Sequence, residues 1–348
     1  MNQYSYSAGN SPPTAIDARM MRRRSTDKDP SGTVRVLRSV SAIGLLLPMF
    51  LFAIVAWKDR SDILAGAESD GTKMVSLFRE QAGNLFAGHD MILDMVADRM
   101  RDRDWSTTQS TDLLREFEVM DRRLDDASEI LLVDATGVVR ATPVHVQPNQ
   151  PPPAPDQKCF LALSTSQIES CISQPHTDPR SGHDLFSLSR RLEKHGVFSG
   201  IAQVAISADY IVDLWAAATP SASDIVTLFR SDGTVLAQSD GRSQAGSSVR
   251  DVGQSLISKI GQSESGVIRA PSSTDGADRI TIYSKVAGNP VYISLSLAKN
   301  VILKKWYANL TVYGLVAAIT AVGVMMALGI ALRRAHAFNN FLTAIRRQ

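Results

Sequence analysis

Few residues of this chain have the types and spacing that metal or redox chemistry requires. Its only cysteines, Cys159 and Cys171, lie twelve residues apart, and His176 and His183 follow them closely. The cysteine spacing does not match a zinc motif, and the two histidines have no evident third ligand. The sequence therefore predicts no metal site and no cofactor.

Motifs of enzymes are missing as well. The sequence has no glycine-rich phosphate loop with its lysine, no GGDEF or EAL motif, no histidine-kinase His box or ATP site, and no metalloprotease motif. Only sixteen residues follow Leu332, which is too short a segment to fold as such a domain. We therefore predict that the chain is not an enzyme.

Two uncharged apolar runs predict membrane spans. Residues 310–332 form 23 uncharged residues, about 34 Å of helix, and residues 40–57 form 18, about 27 Å. A cleaved signal peptide is the alternative for the first run. The small residues at 65–67 offer a cleavage site, but charged residues separate them from the run and the basic leader is long. We therefore expect a retained anchor.

The basic residues set the predicted orientation. More of them precede the first span than follow it: Arg19, Arg22, Arg23, Arg24, Lys28, Arg35 and Arg38. The positive-inside rule then places both termini in the cytoplasm, although Lys304 and Lys305 disagree. We expect a two-pass protein of the bacterial inner membrane with a basic disordered tail (1–39), a periplasmic region (58–307) and a short cytoplasmic helix (333–348). The net charge of +2 is not gathered in one patch, so no nucleic-acid partner is predicted.

An oxidising compartment changes the expectation for the cysteines. Because Cys159 and Cys171 both lie in the region placed outside, they are predicted to form a disulfide. Closing so short a loop would contribute roughly 2–3 kcal/mol in the chain-entropy model. Two free buried thiols are the alternative.

Within the outer region, hydrophobic periodicity predicts a long helix over 63–103 and a shorter one over 108–126. A strand–turn–strand pattern then occupies 129–142 and returns at 224–239, which indicates two similar modules in tandem. The proline-rich segment 147–155 is predicted to be an exposed loop. The remaining predicted elements are strands at 185–192, 198–207, 266–270, 279–286 and 291–297, and helices at 208–218 and 249–260.

This arrangement resembles the double Cache (PAS-like) sensor regions of bacterial membrane histidine kinases and diguanylate cyclases. Residues 129–142 are similar to the family's "LxDxxGxVxA" hairpin, 156–160 to its "DxxxF" step, and 179–192 to its "SRxxG…LSRRL" pair. Ser164 stands where an arginine is common, and the Tyr…Arg-x-Trp-Tyr arrangement of amino-acid-binding members is missing, which argues against an amino-acid ligand.

The resemblance implies an α+β fold: two tandem PAS-like antiparallel-sheet modules on a long N-terminal helix, flanked by two transmembrane helices. The distal module would span 104–218 and the proximal module 219–298. The ligand pocket is expected in the distal module. There Arg180 and Arg190 could read an anionic ligand, because a guanidinium matches a carboxylate, and Asp209 and Tyr210 could contact an amine or hydroxyl.

Arg190 has an alternative reading. Strand alternation places Leu188, Arg190 and Leu192 on one face of the strand, opposite Ser187 and Ser189. An arginine among leucines is either paired inside the protein or lines a pocket.

The predicted function is a membrane-anchored sensor of an extracytoplasmic small molecule, embedded in the lipid bilayer as a homodimer. Small-xxx-small steps such as Gly314/Ala318 would allow close helix contacts, although glycine and alanine are abundant in membrane helices anyway. Such a sensor needs a cytoplasmic output protein. One alternative is the truncated sensor half of a histidine kinase or diguanylate cyclase, and the other is a structural envelope protein that senses nothing.

Overall fold

The computed structural model describes residues 30–105, 128–141, 156–166, 168–178, 182–219, 221–239, 254–271 and 276–345. The chain divides into two compact units. One is Lys58–Ala308, and the other combines Met1–Trp57 with Asn309–Gln348. The 108–126 helix, the 147–155 loop, Arg180 and residues 1–29 of the predicted tail lie outside the described residues. Residues 30–39 of that tail, predicted to be disordered, are helical.

Two long helices contain the apolar runs. Helix α1 spans Pro30–Met100 and continues from the first run into the predicted long helix, and the last helix, α5, spans Lys299–Ile345. By length and composition, both are able to cross a membrane. Apolar side chains of the first run, such as Phe50 and Val55, are exposed, as lipid-facing residues are.

The first sheet is antiparallel and is built from residues after α1. It contains β1 (Ser128–Asp134), β2 (Val139–Ala141), β3 (Ser170–Ile172), β4 (His176–Thr177), β5 (Asp184–Lys194) and β6 (Val197–Ser207). The strand order is β2-β1-β6-β5-β3, and β4 also pairs with β5. Helix α2 (Gln157–Thr165) precedes β3, and α3 (Ala208–Ala216) follows β6. The sequence pattern of residues 160–172 is mixed and predicts no single element, and in the structure they contain the end of α2 and the strand β3.

The second sheet repeats this order. It contains β7 (Ile225–Arg230), β8 (Val235–Gln238), β9 (Ser265–Pro271), β10 (Asp278–Lys285) and β11 (Val291–Ala298) in the order β8-β7-β11-β10-β9, with α4 (Gln254–Ile260) before β9. In both sheets the first hairpin pairs with the last strand of the module. The predicted α+β fold with two similar antiparallel-sheet modules is confirmed.

Each hairpin turn is closed by an aspartate. Asp134 accepts hydrogen bonds from the backbone nitrogens of Thr136 (2.8 Å) and Val138 (3.0 Å), and Asp232 accepts one from Thr234 (3.0 Å). Gly137 and Gly233 follow with φ of 86° and 89°, a backbone conformation that glycine adopts without a steric penalty. The repeated Asp-x-x-Gly or Asp-Gly signal is thus a local cause of the repeated hairpin.

Helix α1 provides the core for both sheets. Its buried residues recur at helical spacing and pack against one face of each sheet: Val75, Phe78, Ala82, Phe86, Leu93 and Val96. A Cβ added at Gly71 would lie 2.4 Å from Cδ1 of Ile282 in β10, so glycine allows α1 to approach the second sheet closely. One helix therefore touches both modules.

Candidate functional site

The two faces of the first sheet have different chemistry. The face toward α1 is apolar and includes Leu132, Phe186, Leu188 and Val204. Side chains alternate along a strand, so Ser187 and Ser189 of β5 and Gln203 of β6 lie on the opposite, outer face. All three are buried, none more than 1% exposed. We call Ser187, Ser189 and Gln203 the polar floor.

Hydrogen bonds fix most of the polar floor. Gln203 Nε2 donates to Ser187 Oγ (3.0 Å), and Gln203 Oε1 accepts from the backbone nitrogen of Asp156 (3.4 Å). The buried Ser173 supports it, because its Oγ accepts from Ser187 N (2.7 Å). These bonds hold the amide and one hydroxyl in fixed orientations.

Ser189 is the exception. Its Oγ is buried and has no hydrogen-bond partner among the residues that the structure describes. Leaving a buried hydroxyl unsatisfied costs about 1–3 kcal/mol, and such an exception calls for an explanation in strain, function or a bound molecule. Ser189 lies directly opposite Gln203 in the strand register, so the two side chains are neighbours on this face.

Helix α2 is fastened beside this floor. Its N-cap is Asp156, whose Oδ1 accepts from Cys159 N (2.7 Å), and a disulfide joins Cys159 to Cys171 of β3. Arg191 adds a third link, because its guanidinium donates to the Leu163 and Ser166 carbonyls and lies 5.0 Å from the Phe198 ring centroid. Asp156, whose backbone nitrogen donates to Gln203, is therefore the N-cap of a helix that the disulfide holds to the sheet.

Arg190 lies on the other face of the sheet, among the leucines as alternation predicts. Its guanidinium forms ion pairs with Asp94 and, at 3.4 Å, with Asp90 of α1. The sheet separates it from the polar floor. In this structure Arg190 clamps β5 to α1, and the sequence offered no signal for its two partners, which are about a hundred residues away.

Asp209 and Tyr210 lie in the first turn of α3, just beyond the end of β6. Asp209 Oδ2 is 2.7 Å from Nδ1 of His183, and both side chains are more than half exposed. Tyr210 is 36% exposed, and its backbone nitrogen donates to Ser207 Oγ (3.4 Å). Within the described residues, no group of three His, Cys, Asp or Glu could hold a metal ion.

Asp134, at the start of the first hairpin turn, is a buried carboxylate of this sheet. Burial raises the pKa of this carboxyl, but hydrogen bonds from Thr136, Val138 and Arg140 outweigh burial and hold the pKa below its usual value. Asp134 also pairs with Arg140 Nε at 2.5 Å. The side-chain partners of Asp134 among the described residues all lie within its own hairpin, so its role is to shape the turn.

The outer face of the second sheet is filled differently. Phe229, Tyr283 and Tyr292 pack there against Leu256 and Ile260 of α4. Ser294 Oγ is also buried without a partner in the described part of the chain, but Tyr283 is its register partner. Aromatic rings thus occupy the face that carries serines and a glutamine in the first sheet.

The fold is similar to that of solved extracellular and ligand-binding domains. Comparisons with protein-family models and with curated protein sequences found no match. Solved structures do match. The chain is similar to the extracellular domain of a protein described as a histidine kinase, rpHK1S-Z16, with 23% identity and a TM-score of 0.59 over 69% of this chain and 98% of that one.

Two solved ligand-binding domains are also similar. The ligand-binding domain of Mlp24 with asparagine has 12% identity and a TM-score of 0.53, covering 71% of this chain and 98% of that one. The ligand-binding domain of the Pseudomonas fluorescens chemoreceptor CtaA in complex with L-serine has 18% identity and a TM-score of 0.48, covering 69% and 99%. The predicted resemblance to Cache-type sensor regions is confirmed at the level of the fold.

Proposed function

We propose that this chain is a membrane-anchored sensor whose ligand is a small polar molecule that binds on the outer face of the distal sheet. The observation that carries the proposal is the polar floor, above all the buried Ser189 hydroxyl without a partner in the described residues. A ligand hydroxyl, amide or carboxylate would satisfy Ser189 and meet the fixed amide of Gln203. The similar folds of sensor domains support this reading.

The candidate residues take different roles in this proposal. Arg180, in the motif that precedes β5, is the candidate for a carboxylate on the ligand, since a guanidinium reads such a group in two hydrogen bonds. Asp209 and Tyr210 lie at the end of the sheet and would contact the ligand's edge. We assign Arg190 to coupling, because it pairs with α1 on the opposite face.

Coupling would run through α1. This helix packs on both sheets and leads toward the first apolar run, so a shift of the distal sheet against Asp90 and Asp94 moves the helix itself. A ligand changes the equilibrium between two arrangements only by its difference in affinity for them, and a swing from 1:99 to 99:1 needs about 5.5 kcal/mol.

We further propose a two-pass homodimer in the inner membrane, with both termini in the cytoplasm and the sheet unit in the periplasm. Output would pass from α5 to a cytoplasmic module. Reading the gene beyond codon 348 distinguishes a separate output protein from a kinase or cyclase on the same polypeptide.

A thermal-shift screen tests the sensing role. The full-length protein in detergent is screened against amino acids, organic acids, polyols and other small metabolites. A ligand at 100 times its dissociation constant stabilises the protein by about 2.7 kcal/mol, a rise of roughly 5–10 °C in the unfolding midpoint for a unit of this size. If no compound of a broad panel raises the midpoint, the structural envelope role is favoured instead.

A further inference from the structure

A cleft of about 340 Å³ lies at one end of the second sheet. Its walls come from three elements that are distant in sequence: α1, the β9–β10 pair and the first residue of α5. Four of its lining side chains are cationic: Arg60, Arg269, Arg279 and Lys299. This volume is within the range of small-molecule sites.

Ion pairs neutralise this positive charge only in part. Lys299 pairs with Asp278 at 2.9 Å, and Arg269 pairs with Glu68. Arg279 is 9% exposed and donates to the Ser223 carbonyl at 2.8 Å. Arg60 forms no ion pair with any residue that the structure describes, although it lines the cleft and is partly buried.

We propose that this cleft binds a phosphate-type oxyanion, as an anionic lipid headgroup or free phosphate would supply. Three arginines and one lysine line it, and a guanidinium binds phosphate oxygens through two parallel hydrogen bonds. The N-terminal end of α5, where Lys299 lies, adds a partial positive charge. The cleft is separate from the polar floor, so the proposal does not depend on ligand sensing there.

The positions in the chain favour the lipid source. Arg60 follows the apolar run 40–57 by three residues, and Lys299 precedes the run 310–332 by eleven. A headgroup that binds here would hold α1 and α5, the two helices of the predicted spans, at one point. Anionic lipid composition would then change the coupling between the sheet unit and the spans.

The test uses the full-length protein in a neutral detergent and three variants. Arg60→Gln removes the charge without breaking an ion pair of the described residues. Arg79→Gln is the matched control, because it makes the same change at an exposed position of the same helix. Arg60→Lys keeps the charge but removes the guanidinium, which can form two parallel hydrogen bonds. Circular dichroism and the unfolding midpoint confirm that each variant is folded.

Two arms distinguish the sources. Native mass spectrometry counts bound phosphatidylglycerol against phosphatidylcholine with the same acyl chains, and calorimetry titrates inorganic phosphate. We expect wild type and Arg79→Gln to retain one phosphatidylglycerol, and Arg60→Gln to bind it at least about tenfold more weakly, with Arg60→Lys between them. Saturable phosphate binding that Arg60→Gln weakens equally would assign the cleft to the free anion.

Three results would overturn the proposal. The first is equal retention of the two lipids together with no phosphate heat. The second is binding by Arg60→Gln that is as strong as that of wild type. The third is equal loss in Arg60→Gln and Arg79→Gln, which would indicate general charge attraction rather than a site. A protein that fails the distal ligand screen but passes this test separates the two proposals.

Discussion

Replacing Arg190 by methionine tests whether one face of the distal sheet contacts α1 while the opposite face binds the ligand. Methionine keeps the apolar stem of the side chain and removes the guanidinium that pairs with Asp90 and Asp94. The Arg190 side chain is 21% exposed, against 30% for Asp90 and 56% for Asp94. The Asp94 pair is therefore largely screened by solvent and contributes at most about 1 kcal/mol.

The Asp90 contact is better shielded, and a hydrogen bond to a charged group contributes about 1.5–3 kcal/mol. Its 3.4 Å length places it at the low end of that range. We expect Arg190→Met to lower the free energy of unfolding by about 2 kcal/mol. For a domain of this size, that corresponds to a fall of roughly 4–8 °C in the unfolding midpoint.

The assay is thermal unfolding of the full-length protein, with and without a stabilising ligand from the screen. Arg101→Met is the control, because Arg101, in the turn that follows α1, forms an exposed pair with Asp98 of that helix, and its midpoint should change by about 1–2 °C at most. The ligand-induced shift of Arg190→Met should match that of wild type, since the sheet separates Arg190 from the polar floor. A folded Arg190→Met protein that no longer binds ligand would refute this division and place Arg190 in the ligand site.

The remaining predictions concern the anchors of the fold. Replacing Cys159 and Cys171 together by serine should cost about 3 kcal/mol and weaken ligand binding, because the disulfide holds the cap beside Gln203; an unchanged midpoint in differential scanning fluorimetry would contradict this. Because the pKa of Asp134 is lowered in the folded state, its stabilisation is complete above about pH 4 and disappears as the pH falls through the lowered pKa. Asp134→Asn should therefore be less stable than wild type at pH 7 and lose less stability on acidification to pH 3, and parallel pH profiles would argue otherwise. Gly71→Ala should destabilise the protein by about 1–3 kcal/mol through overpacking. Gly66→Ala is the control, because nothing lies within 4 Å of its added Cβ, and it should stabilise the protein by up to about 1 kcal/mol. Equal urea midpoints of the two variants would show that α1 does not approach the second sheet closely.

Much of the fold follows from local sequence signals. The hairpin repeat could be predicted because each copy carries an aspartate and a glycine in its turn, and these residues act within a few positions of each other. The strands β5, β6, β10 and β11 follow from alternation and from β-branched residues. Helix α2 (Gln157–Thr165) escaped prediction because only two of its residues, Cys159 and Leu163, are buried, too few to show a period.

The candidate site was harder to predict. Ser187 and Ser189 alternate with leucines, a pattern typical of a strand with one solvent face, and only tertiary packing buries both faces. Alternation placed Arg190 on the correct face, but its partners lie on a helix 96 and 100 residues away. The cleft at Arg60 likewise lies between three segments that are distant in sequence. The spacing of charged residues along the chain does not predict that these segments come together.

The central claim is that the polar floor binds the ligand, and a matched pair of serine substitutions tests it most directly. Ser189→Ala and Ser294→Ala each remove a buried hydroxyl without a partner among the described residues, one from each sheet. Isothermal titration calorimetry of full-length protein with the best compound from the screen compares the two variants. Losing one ligand hydrogen bond of about 0.5–1.5 kcal/mol should weaken binding roughly 2- to 12-fold in Ser189→Ala, and Ser294→Ala should bind as wild type does. Equal affinities in Ser189→Ala and wild type, or a loss confined to Ser294→Ala, would contradict the account.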